Sequence, residues 1–236
     1  MNPDKNTARL LGAAFLFVAV LSFLSGLLHS SLGVAVSGPP DSTSETMIMI
    51  ADTPATMQMS IVGYLIEAIA IVLLATLLWT ALKVQNRRIA RWAFGLWLIQ
   101  AAMLAAREVS LFSLLHLSRQ FAEAGAPDPS YFLTLGSLFY GTFQFGYNVQ
   151  MVFYCMGGIL FYYLFFKSRY VPRLLSLWGL AAAFLAFIGT LLMFFDYSVP
   201  LYLFLPVLPF ELAIGVWLIV RGFDSPATAP VTAETD

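Results

Sequence analysis

The chain has 236 residues, of which 60% are hydrophobic and 11% are charged, and its formal net charge is −1. Soluble globular proteins carry about 25% charged residues, so this composition, with a mean hydropathy of +0.82, indicates an integral membrane protein. A near-neutral chain lacks the excess of Lys and Arg that a phosphate-binding surface needs, which argues against nucleic-acid binding. The single cysteine, Cys155, excludes an intrachain disulfide and a zinc site built from several cysteines.

Six apolar stretches are long enough to cross a membrane, since a spanning helix needs about 20 apolar residues. In chain order they run from Ala8 to Val34, Met59 to Leu82, Trp92 to Leu117, Phe143 to Phe166, Leu174 to Phe195 and Leu201 to Val220. Helices are predicted because open strands would leave backbone groups unpaired in lipid and the sequence lacks the two-residue alternation of a barrel. The predicted fold class is therefore all-α, a polytopic transmembrane bundle of six helices.

The first stretch has some features of a cleaved secretory signal, because Lys5 and Arg9 precede it and small residues follow it. Its apolar run, from Leu10 to about Ala35, is longer than the roughly 7 to 15 residues of a signal core. We therefore expect it to be retained as the first span.

Basic residues give the predicted spans an orientation. They are concentrated in two connecting loops, 83–91 and 167–173, and they flank the first and last spans. The other loops contain a single basic residue, Arg119. The positive-inside rule assigns the basic loops to the cytoplasm. Both termini are therefore predicted to be cytoplasmic, an N-in/C-in topology in a cell membrane.

Three segments lie outside the predicted spans. Ser37 to Gln58 is rich in Pro, Ser and Thr and is expected to be a loop, in which a short interfacial helix from Thr46 to Ala51 is an alternative. Pro129 to Gly141 is apolar, which is consistent with either an interfacial helix or an extension of the fourth span. The tail, 224–236, is expected to be disordered, which leaves residues 1–223 as a single six-helix membrane domain.

Ionisable side chains inside the predicted spans are the main functional signal. A charge at the bilayer centre costs about 2.5–3.5 kcal/mol on insertion scales, so such residues usually face a protein interior and find partners. Glu67, Arg107, Glu108 and Glu211 all fall between the midplane and the outer surface, at overlapping depths. Their overlap predicts one polar site in the outer half of the membrane.

The fourth span contributes polar residues at the same level. Gln144, Tyr147 and Asn148 recur at three- and four-residue intervals with Met151 and Cys155, so they share one helix face. Gln150 lies beside that face, and Gln100 of the third span shares a face with Arg107. The dense aromatic residues of the fourth span, among them Tyr154 and Tyr162, are interpreted mainly as lipid-facing bulk and an interfacial belt. The alternative is that those flanking Asn148 form the wall of an apolar ligand pocket.

The residues support three hypotheses for function. The first is a non-enzymatic protein that binds a small ligand, lipid or ion for transport or sensing, because three carboxylates against one arginine leave an excess of negative charge. Its predicted ligand-binding residues are Glu67, Arg107, Glu108, Gln144, Tyr147, Asn148 and Glu211. Another hypothesis is a structural or partner subunit, in which the same polar network serves only to fix the relative positions of the helices.

The remaining hypothesis is an intramembrane, metal-assisted hydrolase that acts on a lipid. His29 and His116, together with carboxylates, are acceptable metal ligands, and Glu108 or Glu67 would then act as base. Neither histidine belongs to a paired motif such as His-Glu-x-x-His, and the sequence has no glycine-rich phosphate loop or Gly-x-Ser-x-Gly elbow. No cofactor is assigned.

Several short motifs resemble a known family. Lys167-Ser168-Arg169-Tyr170-Val171-Pro172-Arg173-Leu174, followed by Trp178-Gly179, is similar to a signature of the bacterial membrane proteins of domain of unknown function 4386. Glu211-Leu212 with Trp217 to Gly222 resembles the closing helix of that family, and Arg9-Leu10-Leu11-Gly12 resembles its opening helix. The resemblance implies six helices, a bacterial inner or plasma membrane, no established activity, and Glu211 as a shared intramembrane carboxylate.

Overall fold

The computed structural model describes residues 5–34, 42–124, 130–195, 197 and 199–223. Within these ranges the chain is all-α, with seven α-helices and no strand. The helices are α1 (Lys5–Ser31), α2 (Thr43–Asp52), α3 (Pro54–Leu82), α4 (Arg87–Ala124), α5 (Ser130–Ser168), α6 (Arg173–Met193) and α7 (Val207–Val220), with a short 3₁₀ turn at Leu201–Leu203. The predicted all-α class is confirmed.

Helix boundaries follow local capping chemistry. The hydroxyl of Ser42 accepts a hydrogen bond of 3.3 Å from the amide of Glu45 and begins α2. The side-chain oxygen of Asn86 accepts hydrogen bonds from the first amides of α4, at 3.0 Å from Arg88 and 3.1 Å from Ile89. Pro54 occupies the first turn of α3, where its missing N–H has no helical partner to lose.

Five helices, α1, α3, α4, α5 and α6, are long and apolar enough to cross a membrane. The chain is therefore a multi-pass membrane protein. The sixth predicted span, Leu201–Val220, is not one continuous helix: it contains the 3₁₀ turn and the 14-residue helix α7, because Pro200 and Pro206 restrict the backbone before α7. At a rise of about 1.5 Å per residue α7 is about 21 Å long.

The helices α4 and α5 are much longer than their predicted spans. They contain 38 and 39 residues, so each is about 57 Å long against a hydrocarbon core of about 30 Å. Residues 130–141 form the first part of α5, with no break between them and the rest of the helix. Of the two alternatives for this segment, the extension of the fourth span is therefore confirmed. The predicted short helix at Thr46–Ala51 is also present, as α2. The predicted tail, 224–236, lies outside the described residues.

Two core clusters hold the helices together. The larger one contains residues of α1, α3, α4, α5, α6 and α7. The second core cluster joins α2 to the extended ends of α4 and α5 and consists of Leu32, Val34, Met47, Ile50, Met57, Ile61, Leu111, Leu114, Leu115, Leu117, Tyr140 and Phe143. Burial of Met47 and Ile50 in this cluster holds α2 against the bundle.

Small residues set the crossing of α1 and α7. A Cβ atom added to Gly12 would lie 2.5 Å from the carbonyl oxygen of Gly215, so the two backbones touch. Close approach at small residues is the usual way in which membrane helices associate, because apolar side chains gain little from leaving lipid. This contact places α7 directly against α1 and brings Glu211 into the bundle.

Candidate functional site

A cavity of about 250 Å³ lies between α1, α3, α4, α5 and the beginning of α7. Its polar lining consists of Ser22, Tyr64, Glu67, Gln100, Arg107, Tyr147, Gln150, Tyr154 and Glu211. The rest of the lining is apolar and includes Ile71, Trp97 and Leu208. Phe23, also in the lining, is 52% exposed, so the cavity reaches the surface of the bundle.

Arg107 is held at one end of the cavity by a neighbouring carboxylate. Its Nε donates a hydrogen bond of 3.1 Å to Oε1 of Glu108, and both side chains are almost completely buried. The other carboxylate oxygen of Glu108 lies 3.9 Å from Nε2 of His29. Glu108 therefore neutralises Arg107 from behind the cavity wall and is not part of the cavity lining itself.

Three aromatic rings surround the Arg107 guanidinium. Its central carbon lies 4.8 Å from the ring centre of Tyr64 and 5.2 Å from the ring centres of both Phe143 and Tyr147. Ring faces attract a desolvated cation by about 2 kcal/mol or more. Gly146 makes this arrangement possible, because a Cβ there would lie 2.9 Å from the Cβ of Arg107. The guanidinium is thus fixed by Glu108 and by the rings.

Glu67 faces the cavity from α3 and is only 5% exposed. Ser22 of α1 is within hydrogen-bonding reach of its carboxyl group. Its Oε2 atom has no hydrogen-bond partner among the residues that the structure describes. A buried carboxylate oxygen without a donor is costly, since desolvation is not repaid.

Two amide side chains show the same feature. Gln100 of α4 and Gln150 of α5 line the cavity and are 3% and 6% exposed. The Oε1 atom of each lacks a hydrogen-bond partner within the described part of the chain. The described part of the cavity wall therefore contains three unpaired acceptors, on Glu67, Gln100 and Gln150, and one unpaired donor, Nη1 of Arg107.

Glu211 enters the cavity from the first turns of α7. The hydroxyl of Tyr154 donates a hydrogen bond of 2.6 Å to its Oε1 atom. Tyr154 is held in turn by Trp97, whose ring stacks on it at 6.0 Å and 10°. The indole Nε1 of Trp97 donates a hydrogen bond of 3.1 Å to the backbone carbonyl of Tyr154. These contacts connect α4, α5 and α7 at one end of the cavity.

The structure brings together four of the seven predicted ligand-binding residues. Glu67, Arg107, Tyr147 and Glu211 line the cavity. Glu108 supports Arg107 from behind, whereas Gln144 and Asn148 lie on α5 outside the lining.

Sequence reasoning did not assign Tyr64, Trp97 or Tyr154 to the site. A signal existed for Tyr154, because it follows Tyr147 and Met151 at three- and four-residue spacing on the same helix face. Its interpretation as lipid-facing bulk is wrong, and Tyr162, at 1% exposure, is likewise buried in the protein.

The two histidines lie in different surroundings. His29 is buried, with its ring 4.9 Å from that of Tyr64. His116 is exposed and packs edge-on against Phe112 of its own helix, at 4.9 Å. In the described ranges no group of three or more His, Cys, Asp or Glu side chains is placed to hold a metal ion. The geometry therefore gives the metal-assisted hydrolase no ligand set.

The fold and the cavity define a helical, multi-pass membrane protein with a polar site among its spanning helices. The chain belongs to the family described as domain of unknown function (DUF4386), whose profile matches residues 10–222. This confirms the resemblance inferred from the motifs around Arg173 and Glu211. No curated protein and no solved structure matches the chain.

Proposed function

We propose that this protein binds a small amphiphilic ligand in the cavity between α1, α3, α4, α5 and α7, for transport or sensing. The observation that carries the proposal is the joint lining of one cavity by Glu67, Arg107 and Glu211, with apolar walls between them. Small-molecule sites are concave and mostly apolar, with a few convergent polar groups that orient the ligand. At about 250 Å³ the cavity is slightly smaller than the usual range of about 300–1,000 Å³ and suits a small ligand.

We further propose six crossings with both termini in the cytoplasm, in a single membrane domain of residues 1–223 in the bacterial inner or plasma membrane. The sixth crossing would consist of α7 and the segment that precedes it. The basic loops between α3 and α4 and between α5 and α6 support this orientation.

In this orientation the site opens toward the outer half of the membrane. Arg107 lies 20 residues beyond the cytoplasmic start of α4, or about 30 Å. Glu67 lies 15 residues before the cytoplasmic end of α3, or about 22 Å. A ligand would therefore enter from the outer leaflet or the outer aqueous side.

A cavity-filling variant tests ligand binding. Met151 lines the cavity, whereas Met156, on the same helix, is 41% exposed and is not in the lining. Native mass spectrometry of purified protein should show a bound small molecule in the wild type and in Met156→Trp, and should lose it in Met151→Trp. Equal occupancy in all three folded proteins, or in none of them, would refute binding in this cavity.

A further inference from the structure

We infer that the ligand carries a primary ammonium group, which the site takes up between Glu67, Gln100 and Gln150. The inference rests on the proposed function and adds the chemical class of the ligand. Its basis is that the atoms left without a partner in the cavity wall include three acceptors and only one donor, Nη1 of Arg107, among the described residues, together with the balance of charge around them.

The unpaired atoms supplied by these three side chains are all acceptors. They are Oε2 of Glu67, Oε1 of Gln100 and Oε1 of Gln150, and all three side chains are more than nine-tenths buried. Only a hydrogen-bond donor satisfies such a set. A primary ammonium has three N–H donors and no acceptor, which matches the set in number and in kind. A proton would neutralise a carboxylate but would leave the amide oxygens of Gln100 and Gln150 unpaired.

The charges of the site also favour a cation. Arg107 is the only Lys or Arg in the described cavity lining, and its charge is balanced by Glu108. Among the described residues neither Glu67 nor Glu211 forms an ion pair, although Glu67 is near enough to Arg107 to interact with it electrostatically. With Glu108 paired to Arg107, the carboxyl groups of the cavity outnumber its cations. An anionic ligand would meet the two carboxyl groups of Glu67 and Glu211. Arg107 would offer it one unpaired donor, Nη1, because its Nε is already bonded to Glu108 and three rings pack on the guanidinium.

The walls around these acceptors favour an apolar body on the ligand. Ile71, Leu74 and Trp97 line the same cavity, and the exposed Phe23 lies at its edge. Burial of apolar surface adds about 25 cal/mol per Å² to binding. A small aromatic or aliphatic amine therefore fits both the polar and the apolar part of the site.

The test uses three probes that share a benzyl group: benzylammonium, benzyltrimethylammonium and benzyl alcohol. Their binding to the wild-type protein in phosphatidylcholine nanodiscs is measured by saturation-transfer difference NMR. Benzylammonium should bind saturably and at least tenfold more tightly than the other two, because the quaternary probe has no N–H donor and the alcohol has no charge.

Two variants then assign the site. Glu67→Gln should weaken benzylammonium binding by about tenfold or more, since it removes a charge-assisted hydrogen bond. Glu123→Gln, at an exposed carboxylate near the end of α4, should leave it unchanged. Equal affinity for all three probes, with loss of binding in Met151→Trp, would overturn the ammonium and leave the cavity as a binding site. Binding that Met151→Trp does not affect would overturn both.

A further arm separates two sources of the ammonium group. If a lipid headgroup supplies it, phosphatidylethanolamine in the nanodisc should compete and raise the apparent Kd of benzylammonium at least severalfold. If a free amine supplies it, the apparent Kd should be the same in both lipids. Either result supports an ammonium site only when the probe preference and the effect of Glu67→Gln are also seen.

Discussion

The hydroxyl of Tyr154 donates a hydrogen bond of 2.6 Å to the carboxyl group of Glu211, across the junction of α5 and α7. Both residues line the cavity. The bond therefore holds the 14-residue helix α7 against α5, the longest helix of the described residues, and also positions one of the two cavity carboxyl groups.

Removal of this hydroxyl should destabilise the protein. Tyr154→Phe keeps the ring stacked on Trp97 but leaves a buried carboxyl oxygen without its donor, which costs about 1.5–3 kcal/mol. Thermal unfolding in detergent should show a clearly lowered midpoint. Tyr163→Phe is the matched control, because Tyr163 is 42% exposed on the same helix. Equal midpoints for the two variants would contradict the importance of the bond.

The buried pair of Arg107 and Glu108 should show strong coupling. Arg107→Met leaves Glu108 without its cation, and removal of one partner of a buried pair costs about 3–5 kcal/mol. The double variant Arg107→Met/Glu108→Met removes both charges and should be markedly more stable than Arg107→Met alone. A double-mutant cycle of unfolding free energies measures this coupling. Additive effects would mean that the pair does not interact energetically.

The contact between Gly12 and Gly215 predicts intolerance of a single methyl group. Gly12→Ala places its Cβ 2.5 Å from a backbone oxygen of α7, so α1 and α7 must separate. Overpacking of this kind costs about 1–3 kcal/mol. At Gly95 in α4, an added Cβ meets nothing within 4 Å. Gly95→Ala should therefore be neutral or slightly stabilising, by up to about 1 kcal/mol, in the same unfolding assay.

Labelling of introduced cysteines should report the proposed orientation. Cys155 is buried, so the wild type should react little with a membrane-impermeant maleimide. Glu123→Cys, near the far end of α4, should be labelled in intact cells. Val84→Cys, in the connection between α3 and α4, should react only after the membrane is permeabilised, although Val84 is 57% exposed. The opposite pattern would reverse the orientation.

Much of the site could be predicted from depth alone. Glu67, Arg107 and Glu211 share a level in the predicted spans, and polar side chains at one depth in lipid tend to converge because isolation is costly. Depth does not tell which side of a helix an aromatic residue occupies. Tyr154 was assigned to the lipid for that reason, and its role depends on α7, whose direction is set by the contact between Gly12 and Gly215.

The ends of a helix were predictable where amino-acid composition determines them, and less predictable where packing against other helices determines them. Hydropathy identified every long apolar helix, but it placed the end of the third span at Leu117, whereas α4 continues to Ala124. Phe121, beyond that predicted end, packs on Phe132 of α5 with ring centres 5.8 Å apart, a contact that hydropathy along the chain does not reveal. Hydropathy also extended the sixth span back to Leu201, although the helix begins only at Val207.

The shortness of α7 bears on the bilayer itself. A helix of about 21 Å beside a hydrocarbon layer of about 30 Å creates a hydrophobic mismatch, which lipids relieve by local thinning at a small cost per ångström. Phe204 and Leu208, which precede and begin α7, also line the cavity. If α7 forms the proposed sixth crossing, the membrane should be thinnest beside the cavity, and in the proposed orientation headgroups and amphiphiles of the outer leaflet would then lie nearer to Glu211 than in an undeformed bilayer.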